Sequence, residues 1–372
     1  MKAKYLIVTI LLLGFVFTLL FSPAFVSALG QKEKSKKEEK AEEKIYIPKE
    51  VKSVLQQGLA TRQGRQDIPF TIIKHLYLPA RDGLHNIFFL KIKNSDLGFA
   101  PPVLAPKKQE KAKEKKEKEE AAPAAEAQTP PQLEAKFNVF LQFNSLGENA
   151  PPQVVREVYV PALLVTESSS YDPAKEEIYS IGYPTYSGKY LLAMAITSLD
   201  LKKIGTFYYE FSIPDARSFT KELDTTPIFF VKDMKQMSTP ETIVELHKGF
   251  FTYSILQVAP NLNNIFSSGE NLDIFLFVFG AQPNEQQRYQ LETNYEIKKG
   301  EEVIIRFATA TYESLLISQP LPMKQTVIIK SEKEGEKTES RDLAAGNYSL
   351  SIKIVDKVSG NSVTKSVDFE MK

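Results

Sequence analysis

From Gly346 to Met371 apolar and polar side chains take turns along the chain. Leu350, Ile352 and Ile354 alternate with Ser349, Ser351 and Lys353. Past a polar stretch at 357–361, Val363, Val367, Phe369 and Met371 alternate with Thr364, Ser366, Asp368 and Glu370. A period of two describes a strand with one buried and one wet face. Two such runs around a Ser-Gly-Asn turn predict an antiparallel hairpin. The same arrangement occurs 158 positions earlier. Gly188 matches Gly346, Tyr190 matches Tyr348, Leu192 matches Leu350, and Met194 and Ile196 match Ile352 and Ile354. Without a gap, Phe211 then matches Phe369 and Ile213 matches Met371. Self-similarity at a fixed offset marks a duplicated unit, so each unit is expected to end in the same hairpin.

The rest of each unit reads the same way. FTIIKHLYL (70–78), NIFFLKIKN (86–94), KFNVFLQFN (136–144) and VVREVYVPALL (154–164) are strand-like runs ahead of the first hairpin. GFFTYSILQV (249–258), NLDIFLFVFG (271–280), QLETNYEI (290–297), EEVIIRFATAT (301–311) and QTVIIKS (325–331) precede the second. They are rich in β-branched and aromatic residues and bounded by Pro, Gly and Asn. One stretch differs. In PKEVKSVLQQGLATRQ (48–63), Pro48 suits a first helical turn, and Val51, Val54, Leu55 and Leu59 share one helical stripe. TPETIVELHKG (239–249) is expected to form a second short helix.

These elements predict an all-β chain of two tandem antiparallel β-sandwiches, with one or two short helices and charged disordered segments. Residues 48–214 make unit one, 215–227 a linker, and 228–372 unit two. Two Lys/Glu-rich runs, in 29–47 and at about 105–133, hold almost no apolar residues. Neither can bury enough surface to offset chain entropy, so the first is read as a tether and the second as an insertion within unit one.

The residues around the second hairpin carry a resemblance. Leu343-Ala344-Ala345-Gly346-Asn347-Tyr348-Ser349-Leu350 resembles the tyrosine corner of immunoglobulin-like and fibronectin type III-like sandwiches. The resemblance implies that Tyr348, and Tyr190 in the first copy, bond back to the backbone a few residues upstream, with Gly188 and Gly346 shaping the corner. The position two residues on, Cys in antibody domains, is Leu350 here and Leu192 in the first copy. The pattern is also similar to β-rich modules of secreted bacterial proteins that carry von Willebrand factor A-related or GWxTD regions. Neither region's own motif is present, and no activity follows from the likeness.

The N-terminus changes where such a protein is expected to act. Lys2 and Lys4 precede an uncharged apolar run from Tyr5 to Phe21. Ser22-Pro23 then breaks it, and Val26-Ser27-Ala28 offers small residues for cleavage. This is the pattern of a signal peptide over 1–28. The chain is expected to be exported, to the periplasm or beyond the cell, with membrane contact only through an N-terminal anchor if the signal is not cleaved. Without residues 1–28 the chain keeps 45 basic against 46 acidic side chains. That balance gives no electrostatic footprint for nucleic acid. No cysteine is present, so an exported fold must rest on apolar burial.

Candidate chemistry is sparse. His75, His85 and His247 are the three histidines. They form no His-x-x-x-His or His-Glu-x-x-His pattern, and no metal site is expected. No Gly-x-Ser-x-Gly elbow, phosphate-binding glycine loop or Asp-rich calcium loop occurs, and neither catalytic residues nor a cofactor are expected. Sixteen Tyr and no Trp stand in the chain, and Tyr179, Tyr183, Tyr186 and Tyr190 lie close together. Tyr179, Tyr183 and Tyr186 are candidate ligand contacts, since an exposed Tyr row can stack on sugar rings or anchor a protein. The expected function is therefore an exported, non-catalytic binding or structural protein of the bacterial cell envelope, working through sandwich edges and loops with a protein partner. The alternatives are a glycan-binding protein using Tyr, and a hydrolase with a site between the units.

Overall fold

The computed structural model describes residues 47–81, 83–102, 131–147, 150–215, 222–331 and 335–372. The leader, the tether, the charged insertion between 103 and 130, and residues 216–221 of the linker lie outside the described residues.

Helix α1 (Lys49–Gly58) forms where the apolar stripe predicts it and buries Val51 and Leu55. Seven strands follow: β1 (Phe70–Ala80), β2 (Gly83–Lys93), β3 (Gln132–Ser145), β4 (Gln153–Glu167), β5 (Glu176–Thr185), β6 (Gly188–Ser198) and β7 (Ile204–Ile213). The second half begins with β8 (Asp224–Thr225) and β9 (Phe229–Gln236). It continues with β10 (Leu246–Lys248), β11 (Phe251–Tyr253), β12 (Leu256–Asn261), β13 (Ile265–Phe266) and β14 (Asn271–Phe279). β15 (Leu291–Lys299), β16 (Glu302–Arg306), β17 (Ala310–Tyr312), β18 (Leu316–Pro322), β19 (Lys324–Ser331), β20 (Gly335–Asp342), β21 (Gly346–Asp356) and β22 (Ser362–Met371) complete it.

Four sheets carry the architecture. Their orders are β4-β3-β6-β7, β1-β2-β5-β10, β11-β12-β9-β14-β18 and β13-β22-β21-β15-β16. Each interval between successive layers is filled by its own apolar cluster. Val51 and Leu55 of α1 rest on Phe140, Leu191, Ala193 and Ala195 of the first sheet. The other face of that sheet meets the second across Phe143, Leu192, Met194 and Phe88. The third and fourth sheets enclose Phe230, Leu276, Tyr295 and Ile352. The two sandwiches themselves are joined by a further core. Leu76, Leu78, Ile87 and Phe89 from the second sheet pack on Phe229, Val231, Phe251 and Phe275 from the third.

The residues explain this stack. Ile87-Phe88-Phe89-Leu90 is buried throughout, because Phe88 and Leu90 face the first core while Ile87 and Phe89 face the central one. A continuous apolar run is what a strand covered on both faces requires. In β1 a bulge between Ile72 and Lys74 exchanges the faces. Phe70 and Ile72 point into the first core, Leu76 and Leu78 into the central one. Burial of each such side chain is worth about 1.5–3 kcal/mol. The Tyr253 hydroxyl adds a hydrogen bond across the junction, 2.6 Å to the Pro79 carbonyl oxygen.

The helix expected over 239–249 is not present. Leu246–Lys248 is instead strand β10, which crosses back to pair antiparallel with β5 of the first half, Leu246 opposite Ile181 and His247 opposite Ser180. The sheet edge supplies backbone partners that an isolated turn of helix lacks.

Candidate functional site

The two edges of the first sheet are treated differently. Along β7, residues 65–67 close the edge. Thr206 donates its N–H to the Arg65 carbonyl at 2.9 Å, and Ile204 donates to Asp67 Oδ2 at 3.2 Å. Gly205 lacks a Cβ because the Ile68 carbonyl occupies that space. Along β4 no backbone group pairs with the outer edge among the described residues.

β4 is 15 residues long, and its alternation sets both of its faces. Val158, Val160, Ala162 and Leu164 point into the first core, and Tyr159, Pro161, Leu163 and Val165 point outward. Leu163 remains 56% exposed and Val165 50%. Pro161 has no N–H and suits an edge strand. Tyr159 is held in place, its ring stacked on Phe140 at 5.2 Å and its hydroxyl donating to Asn138 Oδ1 at 3.0 Å. Beside it Glu157 is fixed by Lys52 of α1 at 3.0 Å and by the Gln142 amide at 3.0 Å. The opposite wall comes from the segment before β10, where Ile243 is 65% exposed. β4, α1 and residues 243–246 together line an open concavity of about 1240 Å³.

The two tyrosines of the duplicated hairpins have matching surroundings. Tyr190 donates to the Tyr186 carbonyl oxygen at 3.1 Å, and Tyr348 to that of Ala344 at 2.9 Å. Each ring stacks on the facing Phe, Tyr190 on Phe211 at 5.4 Å and Tyr348 on Phe369 at 5.6 Å. Gly188 and Gly346 precede them with φ of 145° and 150°, backbone that a side chain rarely adopts.

The other tyrosines of the cluster do not form a row. Tyr179 is fully buried in the first core and has no surface to offer a ligand. Tyr183 stacks on Phe143 at 5.4 Å and reaches the concavity with one side. Tyr186 is 68% exposed at the hairpin end. Tyr179 and Tyr183 share the face of β5 that packs on the first core, and Tyr186 lies beyond the end of the strand, so a flat exposed platform for a sugar is not assembled.

The histidines divide between the faces of the second sheet. His75 lies on the first-core side, stacked on Phe88 at 4.8 Å and bonded to Asn86 Oδ1 at 2.9 Å. Burial pulls its pKa down to about 4. His85 lies on the opposite side near Tyr253, and burial holds it down to about 4 as well, with the Glu241 charge acting the other way. His247 Nε2 meets Glu241 Oε2 at 3.0 Å, and the same carboxylate oxygen accepts the Thr252 hydroxyl. Glu241, Glu245 and His247 place ligand-type atoms within 4.8 Å of one another. This convergence is absent from the sequence expectations, which place 239–249 on a helix. The signal was present in Glu245-Leu246-His247, since residues two apart in a strand share a face.

No protein-family model matches the chain, and no curated protein matches it. Among solved structures the chain is similar to E. coli alpha-2-macroglobulin in its native conformation, at 10% identity and a TM-score of 0.15, over 82% of this chain and 16% of that one. A mutant of Salmonella alpha-2-macroglobulin is similar at 11% identity and a TM-score of 0.14, over the same shares. The chain thus spans about 16% of the length of these proteins. The residues themselves define the class here, an all-β protein of stacked antiparallel sandwiches.

Proposed function

We propose that this chain is an exported, non-catalytic binding protein of the bacterial cell envelope that holds an extended segment of another envelope protein along β4. The observation that carries the reading is the outer edge of β4. It offers a long row of backbone donors and acceptors, with Tyr159, Leu163 and Val165 at alternate positions beside it. An added strand takes its affinity from main-chain hydrogen bonds and its specificity from alternate side chains, which is the arrangement this edge presents. Edge strands without such a role are usually short, charged or covered, as β7 is covered. The signal-peptide pattern supports export. The non-catalytic reading is supported by the order Thr252–Glu241–His247. The carboxylate lies between hydroxyl and imidazole, so the imidazole is not placed to take the hydroxyl proton.

The test is a capture experiment from the native envelope with the full chain, a Leu163→Lys/Val165→Lys variant, and a variant lacking 107–132. The expected result is a specific protein retained by the full chain and by the deletion variant, and lost with the β4 variant. Retention by the β4 variant, loss with the deletion alone, or capture only of glycan would overturn the reading.

A further inference from the structure

Glu241, Glu245 and His247 stand on the segment that crosses from the second sandwich to the edge of the first. Pairing of β10 with β5 puts His247 opposite Ser180, and one step beyond the paired run the same register carries Glu245 beside Gly182. His85 comes from β2, on the face of the second sheet that also presents Ile87 and Phe89. Its ring fills the space that a Cβ on Gly182 would need. The missing side chain thus lets His85 lie across β5, while its ring nitrogens stand outside the group formed by Glu241, Glu245 and His247.

The donor atoms of Glu241, Glu245 and His247 lie within 4.8 Å of one another. From that spacing a small side-chain adjustment brings all three within bonds of about 2.0–2.2 Å of one central ion. Two carboxylates this close repel each other, and a cation between them relieves that repulsion. Among the described residues no Lys or Arg is in ion-pair range of either. The imidazole is already oriented, with the His247 ring stacked on Phe250 at 4.8 Å. Thr252 donates to Glu241 in the manner of the outer partners that aim metal-binding carboxylates.

We propose that Glu241, Glu245 and His247 bind a divalent transition-metal ion of the zinc type. Mixed imidazole and carboxylate donors suit zinc, and three protein donors leave one position of its tetrahedral shell to solvent. The ion fixes the crossing segment at the edge of the first sandwich, and with it the wall that faces β4, since Glu245 lines the concavity.

The test uses the full chain freed of metal with a chelating resin, then titrated with zinc chloride by calorimetry and with cobalt chloride by visible absorption. About one equivalent of zinc is expected, with a cobalt spectrum of tetrahedral intensity. Glu245→Gln and His247→Gln are each expected to weaken zinc binding by more than about 100-fold, beyond the loss of an outer partner. His75→Gln, on the other face of the sheet, is expected to leave it unchanged. Circular dichroism of each variant checks that the fold is kept. No zinc binding by the full chain, or binding that survives Glu245→Gln and His247→Gln, would overturn the site.

Discussion

Tyr190 and Tyr348 occupy equivalent positions in the two halves of the chain, each donating its hydroxyl to the carbonyl oxygen four residues upstream. The bond ties the start of the hairpin to the turn that leads into it, and the ring beneath is held by the facing strand. Tyr348→Phe keeps the stacking on Phe369 and removes one half-buried hydrogen bond. A loss of about 1 kcal/mol is expected, read as a lower midpoint in urea unfolding. An unchanged midpoint would remove the corner from the account of stability. Tyr190→Phe is expected to act in the same direction.

The glycines two residues ahead of these tyrosines give a sharper test of backbone geometry. At Gly346 φ is 150°, and Lys299 and Tyr348 leave room for a methyl group. Gly346→Ala therefore isolates backbone strain from crowding. A cost of about 1–3 kcal/mol is expected, measured by the same unfolding experiment. A neutral result would mean that the corner relaxes to ordinary backbone.

His75 gives the fold a dependence on pH. Its neighbours are Phe88, Phe211, Tyr77, Tyr209 and Asn86, and none carries a charge at neutral pH. Burial lowers its pKa from 6.5 to about 4 in the folded chain. Between those values the unfolded chain binds a proton that the folded chain refuses. The contribution is thus fully present above about pH 6.5 and is lost as pH falls toward 4. Its size is on the order of 3 kcal/mol. In His75→Gln this share of the slope should vanish. An equal slope in both proteins would place the dependence elsewhere.

The central core joins the two sandwiches through rings such as Phe89 and Phe251, 6.0 Å apart and edge to face. Phe89→Ala is expected to cost about 3–5 kcal/mol. Because the sheets on both sides share this core, the loss should appear in both halves. Hydrogen exchange should rise in β6 of the first sheet and in β21 of the fourth. A rise confined to β6 would mean that the sandwiches unfold separately.

Much of this architecture was legible in the chain, and the reasons are specific. The β21–β22 hairpin was readable because one face is wet, so Ser349, Ser351 and Lys353 mark the alternation. Helix α1 was readable because its outer side is solvated and Val51, Leu55 and Gly58 turn inward. The central core was harder to see. Phe88-Phe89 and Phe275-Leu276-Phe277 are buried on both sides, which erases the alternation that would point to a partner. Nothing local shows that the two covers are different sandwiches. β10 was misread because three residues carry little periodicity, and Val244, Leu246 and His247 also fit a helical turn. Its strand conformation comes from β5, more than 60 positions away. The same long-range pairing hid the convergence of Glu241, Glu245 and His247. The open edge of β4 could not be inferred from its own alternation, because edge and interior strands read alike when one face is buried.

The most direct measurement of partner binding along β4 uses the absence of cysteine from the chain. A single Leu163→Cys substitution can carry a photoactivatable cross-linker in intact envelope, with Ser359→Cys in the distant β21–β22 turn as the control. The account expects one protein to be cross-linked from position 163 through a contiguous extended segment, and not from position 359. Equal cross-linking from both positions, or none from 163, would contradict it.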